Sequence, residues 1–134
     1  MGTPIRGYRD LQVWQVSMRL VEETFKLTHS LPEAQRFGLI SQMQRAAVSI
    51  PSNIADGHAK RSGKDYRRHL QIAAGSTAEL ETQIELCVRL QMAERDQIRE
   101  ICATSQRVAQ MLSRLIQKLS RSSSRTPNAG NPLN

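Results

Sequence analysis

Apolar residues recur at alternating steps of three and four along most of this chain, and that spacing gathers them on one face of a helix each time. From Asp10 onward, Leu11, Trp14, Met18, Val21, Phe25 and Thr28 keep the step. The run stops at Leu31-Pro32, because a residue before proline avoids the helical region. Asp10 is the expected N-cap. A second stripe, from about Glu33, takes in Ile40, Met43, Ala47, Ile50, Ile54 and Gly57, and a glycine in that place reads as a helix end. The third helix opens at Ser62-Gly-Lys-Asp65, a serine cap three residues before an acid, and carries Tyr66, Leu70, Ala73, Thr77, Leu80, Ile84 and Cys87. A polar break from Gln91 to Asp96 separates it from Ile98, Ile101, Cys102, Ser105, Val108, Leu112, Leu115 and Leu119. These last follow a nearly strict heptad, the period of helices packed at about +20° in a bundle.

Four such helices joined by short connections force antiparallel neighbours. The expected fold is therefore all-α, an up-down-up-down antiparallel four-helix bundle over residues 1–119. Aromatic residues make up 4% of the 134, which argues against a strand-rich sandwich or barrel. After Leu119 the chain turns to Ser, Arg, Pro, Gly and Asn, so residues 120–134 are expected to form a disordered tail. The first ten residues hold no apolar run like a signal peptide, and no stretch approaches the roughly 20 apolar residues that span a bilayer. A cytoplasmic protein without membrane contact is expected. Cys87 and Cys102 fall on apolar helical positions, as buried thiols do, rather than in the loops of a disulfide framework.

The same connectivity sorts the charges. It brings the N-terminus, the turn between helices two and three, and the C-terminus to one end. That end collects Arg6, Arg9, Lys60, Arg61, Lys64, Arg67, Arg68, Arg114, Lys118, Arg121 and Arg125, eleven cations against Asp10, Asp56 and Asp65, a balance of +8 in a chain of net charge +7. A pole of this sign favours polyanions as partners, RNA or DNA first among them. The candidate nucleic-acid-binding residues are Lys60, Arg61, Lys64, Arg67 and Arg68, with Arg114, Lys118 and Arg121. The first five carry more weight, since the helix dipole disfavours cations at an N-terminus and favours them at a C-terminus.

Two other segments are unusual. Pro51 lies inside the stripe of helix two, where it removes a backbone hydrogen bond, and a kink is expected with Ser49, Ser52 or Asn53 taking up the freed carbonyl. The alternative is a direct ligand-binding role for these polar residues. In helix three, Ala73-Ala-Gly-Ser-Thr-Ala78 is small-sided, and Gly75 costs about 1 kcal/mol in mid-helix. Gly75 and Ser76 are therefore candidate contacts between subunits. Asp56, His58 and His69 could be drawn as a metal or acid-base group, but their spacing matches no ligand motif. Without a nucleophile and base, a phosphate loop or a Cys/His quartet, neither catalysis, a cofactor nor a metal is expected.

With Tyr8-Arg-Asp-Leu-Gln-Val-Trp14, Arg36-Phe-Gly-Leu39, Arg45-Ala-Ala-Val-Ser-Ile-Pro-Ser-Asn-Ile-Ala-Asp-Gly57 and Gly75-Ser-Thr-Ala-Glu-Leu-Glu-Thr-Gln83 in place, the chain resembles a bacterial family of four-helix bundles. The family is named for proteins encoded in intervening sequences of 23S ribosomal RNA genes. Its usual Glu-Gly is Asp56-Gly57 here. The fold is similar to that of the accessory variability protein of diversity-generating retroelements. That likeness implies a homopentamer whose basic surface binds nucleic acid and a reverse transcriptase. The expected function is thus a non-enzymatic adaptor for structured RNA or an RNA–DNA hybrid. The alternative is a protein-binding scaffold encoded in a ribosomal RNA intervening sequence, with no direct nucleic-acid role.

Overall fold

The computed structural model describes residues 6–125, with side chains through Arg121. It contains α1 (Gln12–His29), α2 (Ser41–Ala59), α3 (Gly63–Arg89) and α4 (Arg95–Arg125), and no strand among the described residues. A 3-10 turn, Tyr8–Asp10, precedes α1, and a 3-10 turn (Glu33–Gln35) followed by a π turn (Arg36–Ile40) leads into α2. Each helix packs on its sequence neighbour, and α1 closes the circle on α4.

Paired contacts give the directions. Between α2 and α3, Met43 meets Cys87, Ser49 meets Ser76 and Asn53 meets His69, so one sequence rises as the other falls. Along α1 and α4, Ser30 reaches Gln97 while Glu23 lies beside Thr104. Arg67 at the start of α3 holds Ser120 near the end of α4. All are antiparallel, as the short connections dictate.

The core is built from Val13, Val16, Leu20, Leu27, Met43, Ile50, Ile54, Leu70, Leu80, Ile84, Ile101, Val108 and Leu112, with Cys87 among them. Three of the expected stripes point inward. That of α1 is rotated: Met18 and Phe25 are 39% and 42% exposed, and the buried face is Val13, Val16, Ser17, Leu20, Thr24 and Leu27. Helix one carries two apolar stripes, and the larger side chains made the outer one more conspicuous. The inner one is interrupted by hydroxyls that can be buried because each returns to a carbonyl of its own helix, Ser17 to Trp14 at 2.8 Å and Thr24 to Leu20 at 2.7 Å.

Helix ends also depart from expectation. Asp10 does not cap α1: Leu11 holds the cap position without a side-chain bond, and the Asp10 carboxylate accepts from the Arg6 amide at 3.0 Å. Ser62 does cap α3, its Oγ accepting from the Asp65 amide at 3.3 Å. Gly57 does not end α2. It is buried two residues before the end, where a Cβ would lie 2.5 Å from the His69 Cβ. Glycine is needed there because α2 and α3 cross with no room for a side chain. The fourth helix runs past Leu119 to Arg125; along it the Ser120 hydroxyl bonds back to the Ile116 carbonyl at 3.0 Å and accepts from Arg67. The rest of the expected tail, 126–134, lies outside the described residues.

Candidate nucleic-acid interface

The turn from α2 to α3 is made by three residues. The Lys60 amide donates back to the Gly57 carbonyl at 3.2 Å, and Arg61 adopts φ 62°, the left-handed conformation that a side chain disfavours. Ser62 then caps α3. This sharp reversal leaves Lys60 exposed at the C-cap of α2, Arg61 in the turn and Lys64 in the first turn of α3.

Arg67 and Arg68 behave differently from those three. Arg67 is half-buried and its Nε donates to Ser120 Oγ at 2.7 Å, so it joins α3 to α4. The Arg68 guanidinium lies 4.0 Å from Asp65 Oδ1 and 3.4 Å from His69 Nε2. Arg114, Lys118 and Arg121 are exposed on α4. Among the described residues the ion pairs are Glu33–Arg36, Asp65–Arg68, Glu85–Arg89 and Asp96–Arg99, so Lys60, Arg61, Lys64, Arg114, Lys118 and Arg121 have no acidic partner. Tyr8 stacks edge-on against Trp14 with 5.4 Å between centroids and carries the Arg9 guanidinium 4.9 Å above its ring. Tyr8 also shares a cleft with Pro51, Ser52 and Ala55 of α2, which holds the N-terminal cations at the same end of the bundle.

Around Pro51, α2 continues unbroken from Ser41 to Ala59. No side-chain bond from Ser49, Ser52 or Asn53 reaches the carbonyl that the proline leaves free. Ser49 and Asn53 instead bridge to α3. His69 Nδ1 donates to Asn53 Oδ1 at 3.0 Å, Asn53 Nδ2 donates to the Ser49 carbonyl at 2.9 Å, and Ser49 Oγ meets Ser76 Oγ at 2.8 Å. Ser76 is thereby turned toward α2, whereas Gly75 faces outward with nothing within 4 Å of where its Cβ would stand. His58 stacks on Tyr66 at 5.5 Å, Asp56 is exposed and His69 is committed to Asn53. Among the described residues no three His, Cys, Asp or Glu are grouped to hold a metal ion.

Burial raises the Tyr66 hydroxyl and the Cys87 and Cys102 thiols above their usual pKa ranges, with Glu81 and Glu85 adding to the rise at Cys102. None is tuned toward a reactive anion. On the α1–α2 side, Tyr8, Trp14, Met18, Val21, Val48 and Pro51 line an apolar cleft, and a second cleft that includes Phe25 and Arg45 shares Val48 with it. Sequence periodicity assigned those α1 residues to the core and so hid this surface. The role of Gly57 was equally hidden, because a glycine near a helix end suits both a cap and a close crossing.

Residues 9–114 match the family described as 23S rRNA-intervening sequence protein. Among solved structures, the chain is similar to a protein with unknown function from the S23 ribosomal protein family of Bacteroides thetaiotaomicron VPI-5482. The two share 26% identity and a TM-score of 0.72 over 78% of this chain and 95% of that one. Among curated proteins none matches significantly.

Proposed function

Since the chain belongs to the 23S rRNA-intervening sequence protein family, we propose that it is a non-enzymatic, self-associating adaptor that binds structured RNA or an RNA–DNA hybrid through its basic pole. The observation that carries this reading is the α2–α3 turn. Lys60, Arg61 and Lys64 are exposed and unpaired there; Arg61 sits on a backbone that costs energy, and Lys64 lies in the first turn of α3, where the dipole opposes cations, whereas Lys60 closes α2, where it favours them. A phosphate backbone relieves that repulsion, and contacts to phosphates recognise shape and charge more than sequence.

The test is an anisotropy titration of fluorescein-labelled duplex and hairpin RNA against the Lys60→Ala, Arg61→Ala, Lys64→Ala triple variant. Arg67 is left in place because it clamps Ser120. Affinity should collapse while the helical circular dichroism and melting are retained. Unchanged affinity, or wild-type affinity indifferent to salt, would count against the reading. A reverse transcriptase as protein partner rests on the resemblance to the retroelement accessory protein, and co-purification of the two from one operon tests it.

A scaffold role without nucleic acid is the second reading. It is favoured by the exposed apolar clefts of α1 and α2, where Met18, Phe25 and Val48 stand in solvent. The same clefts and the outward Gly75 are the surfaces best suited to self-association.

A further inference from the structure

Where α4 ends changes what its cations mean. With Leu119 as the last helical residue, Arg114 and Lys118 would lie in or near the final turn and be favoured by the helix dipole. The helix runs on to Arg125, and the dipole acts only over the last turn. Arg114 and Lys118 therefore gain nothing from it. They also repel each other at i,i+4, as Lys118 and Arg121 do at i,i+3.

Arg107, two turns earlier, lies on the same side. At 100° per residue Arg107, Arg114, Lys118 and Arg121 fall within a band about 60° wide, spread over about 21 Å of helix. All four are exposed, and none is in an ion pair among the described residues. Arg68, Arg89 and Arg99 are each matched within their own helix by Asp65, Glu85 and Asp96, and among the described residues no acid of α4 does the same for these four. From residue 101 to the end the sequence holds no acid at all.

The band adjoins α1. Thr104, one turn above Arg107, lies beside Glu23, and Arg19 is close enough to Glu23 to draw its pKa down. Arg19 is itself exposed and unpaired. Glu23 and Glu100, the acids that interact there, lie level with Thr104 or beyond it, away from the basic pole.

We propose that a nucleic-acid strand lies lengthwise on the α1–α4 side, from the basic pole down to Arg107 and Arg19, rather than capping the end of the bundle. This deepens the proposed function and rests on it. Over about 21 Å a duplex offers about six phosphates per strand, enough to engage each cation of the band. An acidic protein could meet the charge as well, but α4 flanks its cations with Gln106, Gln110 and Gln117 and offers a wet, polar track.

The experiment compares full-length wild type, Arg107→Gln, and Lys60→Gln/Arg61→Gln/Lys64→Gln, using a labelled 20-base-pair RNA duplex between 50 and 200 mM salt. Glutamine keeps the helix propensity of arginine, and circular dichroism checks the fold. Loss of one phosphate contact at Arg107 should reduce the log–log salt slope by about 0.7–0.9 and weaken binding about five- to eightfold near 100 mM salt. If Arg107→Gln matches wild type while the turn variant loses binding, the lengthwise track is wrong and end-on binding stands. If wild type binds polyglutamate but no RNA, or binds RNA without salt dependence, the track and the proposed function both fall.

Discussion

Single residues in this protein are informative where local chemistry disfavours them. Glu23 is half-buried on the α1–α4 side, with one carboxylate oxygen shielded from water and lacking a hydrogen-bond partner. Its pKa is raised mainly by burial and also by Glu100, against the opposing effects of Thr104, Arg19 and Lys26. A carboxyl raised in the folded state penalises folding once ionised. The folded state is most favoured below the unfolded pKa, about 4.3, and loses that advantage as pH rises through the higher folded value. Glu23→Gln should therefore melt higher than wild type at pH 7, with the difference closing as pH falls toward 4; an equal difference at both pH values would contradict the assignment. Arg61 is disfavoured by its backbone. A side chain in the left-handed region costs about 1–2 kcal/mol, of which glycine's extra unfolded-state freedom returns about 0.5–1. Arg61→Gly should leave stability unchanged or raise it by up to about 1.5 kcal/mol in urea melts, while RNA affinity falls. Loss of both together would mean that Arg61 is held for structure alone.

At the scale of helices, the pattern in the sequence was sufficient wherever one apolar face stood alone. The stripes of α2, α3 and α4 point inward as read, from Met43 to Ile54, Leu70 to Cys87 and Ile101 to Leu112. It failed on α1, where two stripes compete and periodicity cannot say which one other helices will cover. Boundaries were legible when a side chain made the cap, as Ser62 does, and illegible where distant residues meet them. Ser120, past the expected end of α4, accepts from Arg67, fifty-three positions away, and Gly57 is needed because of His69, which no local window contains. The candidate site followed the same rule: Lys60, Arg61 and Lys64 could be located from connectivity, but the structural roles of Arg67 and Ser76 depend on α4 and α2. Gly57→Ala tests the crossing. A methyl 2.5 Å from the His69 Cβ must push α2 and α3 apart, at a cost of about 1–3 kcal/mol in denaturant unfolding. A variant as stable as wild type would mean that the two helices slide freely at this point.

The whole molecule is a bundle with unlike sides, a basic pole and α1–α4 side set against an apolar edge on α1 and α2. Exposed single apolar residues are ordinary on any surface, but the apolar cleft of Trp14, Met18, Val21 and Val48, with Phe25 in the adjoining one, suits a partner. Met18 and Phe25 on α1 and Val48 on α2 stand along these clefts between 39% and 44% exposed, so each can be changed without opening the core. Self-association through this edge would leave the basic residues of α3 and α4 free and place several poles on one assembly, multiplying the phosphates each nucleic acid meets. The expected outcome for Phe25→Glu with Val48→Lys is a lower molecular mass by light scattering at micromolar concentration. Helical content should be kept, and the salt dependence of RNA binding should become shallower. Gly75→Ala separates the two candidate contacts. Its Cβ enters open space within the chain, so it should stabilise an isolated subunit by about 1 kcal/mol, and it lowers the assembled mass only if the outer face of α3 is also covered. A wild type that is monomeric at these concentrations would remove self-association altogether and leave the clefts to a different protein.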